Sequence, residues 1–534
     1  MTTFASALVA LTLSQAAPDL YASPNWALSK LPVATCSVSG TQCQKDADCP
    51  GFTPPALIGF DLVPTGETCT GPVVSGGIQK FVNTLPGLCA LGKSDLGQCL
   101  PVAVPDTTRY PGADYYELGL TQFQMQFHRD LPATTQVRGY YQKNAPANDE
   151  AGKSHYLGPL IVARTDRPVR VHFTNELPTG TAGNLFIPTD HTLPGAGLGP
   201  NGVDSYTENR AAVHLHGGNT PWISDGTQHQ WTAPAGEATP YQKGATAAYV
   251  PDMWFDAAGN SIAMCDGQPT CGVPGATNDP GPGRLTFYWT NQQSGRMMFF
   301  HDHAYAITRL NVYAGEAAGY LLANPPDEDA LAAASVPGTI GTKFFDPAST
   351  VPTATAADLA HLVPLVIQDK TFVPPAPQLA QQDPTWDPAK WGGEGNLWYP
   401  HVYMPNQWPG NPDLSNTNPF GRWDYGPWFW PPQSALNEVT WDGKVVPRPL
   451  TQPCTTAALV DPVTGGPGAT ECPTIPTPSA VPESFLDTMV VNGTAYPTMT
   501  VDPVAYRFQI LNAAQERNVN LSLFVADATG TEVP

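Results

Sequence analysis

Residues 167–178 read RPVRVHFTNELP. Val169, Val171 and Phe173 alternate with Arg170 and His172, and on an extended chain successive side chains point to opposite faces. The apolar set therefore shares one face, as on a strand that buries a single side. RLTFYWTN at 284–291 repeats the period with Leu285, Phe287 and Trp289. In YYELGLTQFQMQFH, residues 115–128, Leu118 and Leu120 keep one phase while Phe123, Met125 and Phe127 take the other. That switch near Gln122 predicts a β-bulge. Together the three stretches predict half-buried antiparallel strands of a β-sandwich.

The composition agrees with short strands joined by long loops. The 534 residues include 59 Pro and 49 Gly, and proline interrupts both helices and central strands. Thirteen Trp and twenty Phe within a 41% hydrophobic chain supply sizeable cores, so disorder throughout is excluded. A net charge of −21 argues against nucleic acid, whose phosphates need basic patches. No segment has the length and apolarity of a membrane span. Residues 4–13 are apolar and precede Ser14-Gln15-Ala16, a small-x-small pattern that marks residues 1–16 as a signal peptide and the chain as secreted or periplasmic.

Ten cysteines fit that compartment. Cys36, Cys43, Cys49, Cys69, Cys89 and Cys99 lie early, and Cys265 with Cys271 and Cys454 with Cys472 form two close pairs. An even number at short spacing in loop sequence reads as disulfides. No CxxC pair supports zinc, and the pairing of the six early cysteines is not legible in sequence. The two later pairs are expected to be local bridges.

Residues 17–110 form a Pro- and Cys-rich extension with little periodicity. Strand patterns then run to ANPPDEDALAAA at 323–334, where Asn324-Pro325-Pro326 ends the strand GYLLAN and an alanine-rich linker is predicted. Further strands follow in PLVIQDKTF (364–372), DTMVVNG (487–493), VAYRFQILNA (504–513) and NLSLFVAD (520–527). Heptads, nucleotide-binding glycine motifs and helical repeats are absent. The aromatic-rich stretch 398–430 reads as loop packing rather than a sugar platform.

Two motifs carry chemistry. AAVHLHGGNTPWISDG (211–226) contains His214 and His216, and GRMMFFHDHA (295–304) contains His301 and His303. On a strand, residues i and i+2 share a face ~7 Å apart, so each His-x-His presents two imidazoles side by side. Imidazole suits copper, zinc, iron and nickel. One such pair is weak evidence; two pairs in a chain with 11 histidines point to a metal cluster. Gly217 and Gly218 fit a strand end where backbone approaches closely. His128, His155, His172, His191, His229, His361 and His401 are isolated and read as surface or satisfied positions.

HLHGGNTPWISDG and HDHAYAITRLNVYAGEAAGYLL resemble the copper motifs of multicopper oxidases, in particular the branch of bacterial bilirubin oxidases and spore-coat laccases. FTNELP, NLWYPHVYMPNQ and VVNGTAYPTMTVDPVAYRFQILNA extend the resemblance from about Asp114 to the C-terminus. It implies an all-β chain of tandem cupredoxin-like Greek-key sandwiches, the first at 111–325 and a second, incomplete one at 326–534. It implies copper as cofactor, with His214 as a type 2 ligand and His216, His301 and His303 as ligands of the type 3 pair. Asp225 matches an acidic residue beside the trinuclear centre, where a carboxylate can relay protons for dioxygen reduction; as a bare residue it also reads as a turn before Gly226. The expected partners are dioxygen and a small reducing substrate, a phenol, tetrapyrrole or metal ion.

The remaining family motifs, HxxHxH and HCHxxxH, have no match: no cysteine adjoins a histidine, and no histidine follows His401. The resemblance thus implies half of the trinuclear site, no type 1 site, and a missing C-terminal cupredoxin domain. A zinc hydrolase at the same pairs lacks a convincing third ligand cluster. A non-catalytic secreted copper-binding or interaction protein is the alternative.

Overall fold

The computed structural model describes residues 80–132, 134–191, 193–262, 273–339, 359–376, 386–399 and 488–523, with isolated positions and the backbone of short strands elsewhere. Two compact units emerge, Met1–Val82 with Val519–Pro534 and Asn83–Asn518. In the first, short antiparallel pairs appear, among them Phe52–Ile58 with Asp61–Gly66, so the extension carries strands that its sequence does not advertise.

The larger unit opens with a β-sandwich. One sheet contains β1 (Asp114–Met125), β2 (Thr135–Gln142), β4 (Val169–Asn175) and β6 (Arg284–Trp289) in the order β6-β4-β1-β2. The other contains β3 (Ile161–Arg164), β5 (His214–His216), β7 (Arg296–His301) and β8 (Ala317–Ala323) in the order β5-β7-β8-β3. Val169, Val171, Phe173, Leu285, Phe287 and Trp289 meet Leu215, Met298, Phe300 and Tyr320 in one core. Truncating a fully buried ring such as Phe300 in a core of this kind costs about 3–5 kcal/mol.

Three expectations change. First, β1 and β4 run parallel, although β4 pairs antiparallel with β6; the sheet is mixed. Second, β1 has no bulge, because its register with β2 is unbroken from Leu118↔Gln142 to Met125↔Thr135. The phase switch instead records a change of neighbour. Leu118 and Leu120 fill the sandwich core, whereas Phe127, just past the strand, packs on Tyr156 and Phe372 at 5.0 and 5.4 Å. Third, the alanine-rich linker is a helix, α2 (Pro325–Ala333), started by proline at its first turn. Buried Glu328 on α2 pairs bidentately with Arg507 at 2.7 and 2.8 Å.

Between β7 and β8 lies α1 (Thr308–Ala314). Gly315 ends it at φ +121, where a Cβ would fall 2.2 Å from the Arg138 carbonyl. A four-stranded sheet follows, with β9 (Leu362–Lys370), β10 (Thr488–Val491), β11 (Thr494–Ala495) and β12 (Arg507–Asn512) in the order β11-β10-β9-β12. Tyr313 of α1 ties the two parts together, its hydroxyl donating to the Trp398 carbonyl at 2.8 Å and accepting from Thr371 N–H at 2.9 Å. Trp398 is buried with Trp386 and Trp391, and Tyr399 packs on Tyr313 at 4.9 Å; residues 400–430 of the aromatic-rich stretch lie outside the described residues. On β12, Phe508 and Ile510 remain 48% and 46% exposed.

Cys89 and Cys99 form a disulfide. The side chains of the other eight cysteines lie outside the described residues.

Part of the outer face of the β6-β4-β1-β2 sheet is buried too. Arg170 lies between the rings of Tyr110 and Tyr288, at 4.9 and 4.8 Å, and pairs bidentately with Asp252. Beside it His172 is 6% exposed, and neither ring nitrogen has a partner among the described residues. The expectation of a surface or satisfied histidine fails here. Burial pushes its pKa down from 6.5 to about 3, so the fold holds it neutral while the unfolded chain protonates near pH 6.5. Its contribution to stability is therefore complete above about pH 6.5 and is lost as pH falls toward 3. His172→Leu should keep neutral-pH stability and flatten the loss between pH 6.5 and 4, read from urea midpoints at each pH. An unchanged acid limb would contradict this assignment.

Candidate metal centre

β5 pairs antiparallel with β7 in a register that sets His214 opposite His301 and His216 opposite Phe299. Leu215 and Phe300 point into the core. Alternation then turns His214, His216, Phe299 and His301 to the outer face. Phe299 stacks on His216 and His301 at 4.8 and 4.9 Å, a floor of apolar surface running into the imidazoles. Past the end of β7 the chain turns, and His303 stacks on His214 at 4.6 Å with an interplanar angle of 20°. The centroids of His214 and His216 lie 5.4 and 5.3 Å from that of His301. Ligand atoms of His214, His216 and His301 all fall within 4.8 Å of one another; His303 stands beside this trio, against His214.

Backbone carbonyls orient three of the rings. His214 Nδ1 meets the Asp225 carbonyl, His303 Nδ1 meets that of Gly226 at 2.8 Å, and His301 Nδ1 meets that of Asp302. A carbonyl only accepts, so each Nδ1 carries the proton and each Nε2 keeps its lone pair. Metal-bound histidines are held in this way. His216 differs: its Nδ1 faces His301 Nε2 at 3.2 Å. Two nitrogens that converge so closely match ligands ~2 Å from a shared ion. Burial pushes the His301 pKa down to about 3 and lowers those of His214 and His216, which keeps these imidazoles neutral and able to bind metal.

The loop after β5 delivers two of those carbonyls. A short 3-10 turn, Trp222–Ser224, leads into Asp225 and then Gly226 at φ +67. A Cβ on Gly226 would fall 1.9 Å from the Val213 carbonyl, so only glycine lets this turn lie against the ligand strand. The Asp225 side chain is partly exposed, accepts from the Thr220 hydroxyl at 2.8 Å, and reaches within 3.7 Å of His214 Nδ1. It is both a turn residue and a carboxylate next to the histidines.

Sequence reading passed over the residues beneath the site. Asp302, the middle residue of His-Asp-His, is fully buried and accepts from Ala212 N–H, Ala304 N–H and Asn311 Nδ2. Arg138 on β2 donates to Asn311 Oδ1 at 3.0 Å and to Glu316 at 2.9 Å, all within the interior. Burial, with Asp302 nearby, pushes the Glu316 carboxyl up to about 8 against the pull of Arg138. A signal existed: the middle residue of an alternating His-x-His faces inward, and a carboxylate there demands buried donors.

No protein-family model matches the chain. It is 24% identical to a laccase of Bacillus subtilis (strain 168) over 447 residues, 84% of this chain and 52% of that protein. It is 27% identical to multicopper oxidase LPR1 homolog 1 of Oryza sativa subsp. japonica over 259 residues, 48% of this chain and 33% of that protein. The chain is thus similar in sequence to laccases and other multicopper oxidases. It spans about half the length of the laccase. Among solved structures, the multicopper oxidase McoA of Aquifex aeolicus aligns over 78% of this chain and 47% of its own, at 15% identity and a TM-score of 0.32.

The donor chemistry fits a metal cluster: four imidazoles from two motifs, three with Nδ1 engaged by a backbone carbonyl. Apart from buried His172, the other described histidines are engaged elsewhere. His155 and His191 pair with Glu150 and Glu208, His128 accepts from Asp130 N–H, and His229 and His361 pack on Tyr305 and Tyr506; His401 lies outside the described residues. Cys99, Glu150 and His155 also converge, but the Cys99 sulfur is committed to its disulfide.

Gly226→Ala should displace both loop carbonyls and release His214 and His303 together. Zn(II) calorimetry should show binding weakened by about 10- to 100-fold, the usual effect of losing the partners that orient metal ligands. Wild-type affinity in a folded variant would refute the clamp.

Proposed function

We propose that the chain contributes the first half of the copper site of a laccase-like oxidase, which removes single electrons from a substrate and reduces dioxygen to water. The observation that carries this reading is the set of three imidazoles whose Nδ1 protons are engaged by carbonyls, which leaves each Nε2 its lone pair. Bound copper would supply the one-electron redox chemistry; four electrons and four protons convert one dioxygen to two waters. His214 is assigned to the type 2 ion and His216, His301 and His303 to the type 3 pair.

The chain's own residues then have distinct tasks. The Asp225–Gly226 carbonyls fix the tautomers of His214 and His303, and Phe299 screens one flank of His216 and His301 from water. Asp225, partly exposed and 3.7 Å from His214, is placed to pass protons from solvent into the site. The type 1 site and the remaining ligands belong to a third cupredoxin domain outside this chain. Residues 111–325 form the first cupredoxin-like domain and 326–534 part of the second, after a signal peptide at 1–16 and an extension at 17–110. The protein works outside the cytoplasm, and its reducing substrate is a small phenol, tetrapyrrole or metal ion.

Copper titration of the purified chain tests the reading. Cu(II) should bind with nitrogen hyperfine structure in its electron paramagnetic resonance spectrum, and His301→Ala should weaken binding and alter that structure. The chain alone should lack the blue colour of a thiolate site and should not oxidise a phenolic dye in air. Failure to bind Cu(II), or binding indifferent to His301→Ala, would overturn the copper assignment. Dye oxidation lost in His301→Ala would overturn the division of the site.

A further inference from the structure

We infer that Asp302 is the positioning residue that locks the two histidine pairs to each other. The inference rests on the reading of the four imidazoles as metal ligands. His214 and His216 stand on one strand, and His301 and His303 on the end of another and the turn beyond it. The β5–β7 register sets His214 against His301, but His303 lies beyond the end of β7, where that ladder no longer fixes its distance from the first pair. Asp302 does so through a single carboxylate.

Its Oδ1 accepts from Ala212 N–H at 2.8 Å, two residues before His214. Its Oδ2 accepts from Ala304 N–H at 3.0 Å, immediately after His303. The start of the first motif and the end of the second are therefore held on opposite oxygens of one planar group. The backbone of Asp302 adds two more ties: its carbonyl accepts the His301 Nδ1 proton, and its N–H donates to the Glu316 carbonyl at 3.0 Å on the way into β8. Asn311 of α1 donates to Oδ2 at 2.9 Å and accepts from Arg138, which fixes the carboxylate from behind. The group has no exposed surface, so water cannot stand in for any lost bond.

The donors around it require an acceptor at each oxygen. Both oxygens face a backbone N–H, and an amide has only one acceptor. Either orientation of an asparagine would set its NH2 against Ala212 or against Ala304 and Asn311, leaving a buried donor facing a donor. Asp302→Asn changes size hardly at all and breaks the lock on one side.

The experiment compares Cu(II) affinity, resonance spectrum and metal-free unfolding in wild type, Asp302→Asn, Asn311→Ala and Asp252→Asn. Asp252 pairs with Arg170 on the opposite sheet, and its variant controls for loss of stability alone. Asp302→Asn should weaken Cu(II) binding about tenfold or more and broaden the nitrogen hyperfine pattern; Asn311→Ala should do the same to a smaller degree, and Asp252→Asn should lose stability with unchanged affinity. Wild-type affinity and spectrum in folded Asp302→Asn would overturn the assignment, as would equal losses of affinity in Asp302→Asn and Asp252→Asn. If Asp302→Asn does not fold, Asn311→Ala decides: a several-fold loss of affinity supports the lock, and wild-type binding overturns it. Absence of histidine-dependent Cu(II) binding in the wild type would instead defeat the ligand reading itself.

Discussion

The register between β5 and β7 is the constraint on which the site depends. Leu215 and Phe300 are partners across that register, and both are buried in the sandwich core. With those two side chains inward, the residues on either side must face out. His214 and His301 thus come to lie opposite each other because their apolar neighbours are drawn out of water. A slip by one residue would put imidazoles into the core and a leucine on the surface, an exchange that hydrophobic burial forbids. Hydrophobic packing, a non-directional force, here sets the positions of directional groups.

The same alternation explains what sequence could and could not disclose. Val169, Val171 and Phe173, or Leu285, Phe287 and Trp289, announce their strands because one face of each is uniformly apolar. The two His-x-His pairs are legible for the same reason. Strand direction leaves no such trace: the parallel pairing of β1 with β4 depends on where the connecting chain runs. Nor does a change of phase say whether the backbone bulges or the neighbours change, and in β1 the neighbours change. The helix at Pro325–Ala333 was hidden by small residues that give it no apolar stripe; the ion pair of Glu328 with Arg507 ties it to β12.

Within the site, the legible part is the set of atoms that carry a letter in the sequence. The carbonyls of Asp225, Gly226 and Asp302 carry none, since every residue has one. Their arrangement follows from a glycine turn pressed against Val213 and from the inward face of the second motif. Arg138 and Glu316 are a hundred or more residues apart in sequence and meet only because β2 and the end of α1 close over the same interior. His172 shows the converse error: its alternation with valines placed it on the outer face of its strand, where a second small core of tyrosines and Phe255 covers it.

β5 is three residues long and is the terminal strand of its sheet. The imidazoles it carries sit at the rim of the sandwich, whose interior is sealed without them. Folding and coordination are thereby separated: the apolar core closes by its own chemistry, and His216, exposed at the end of the ligand strand, faces whatever approaches later. A centre assembled at such a margin can be filled, emptied or joined from outside without reopening the protein that holds it.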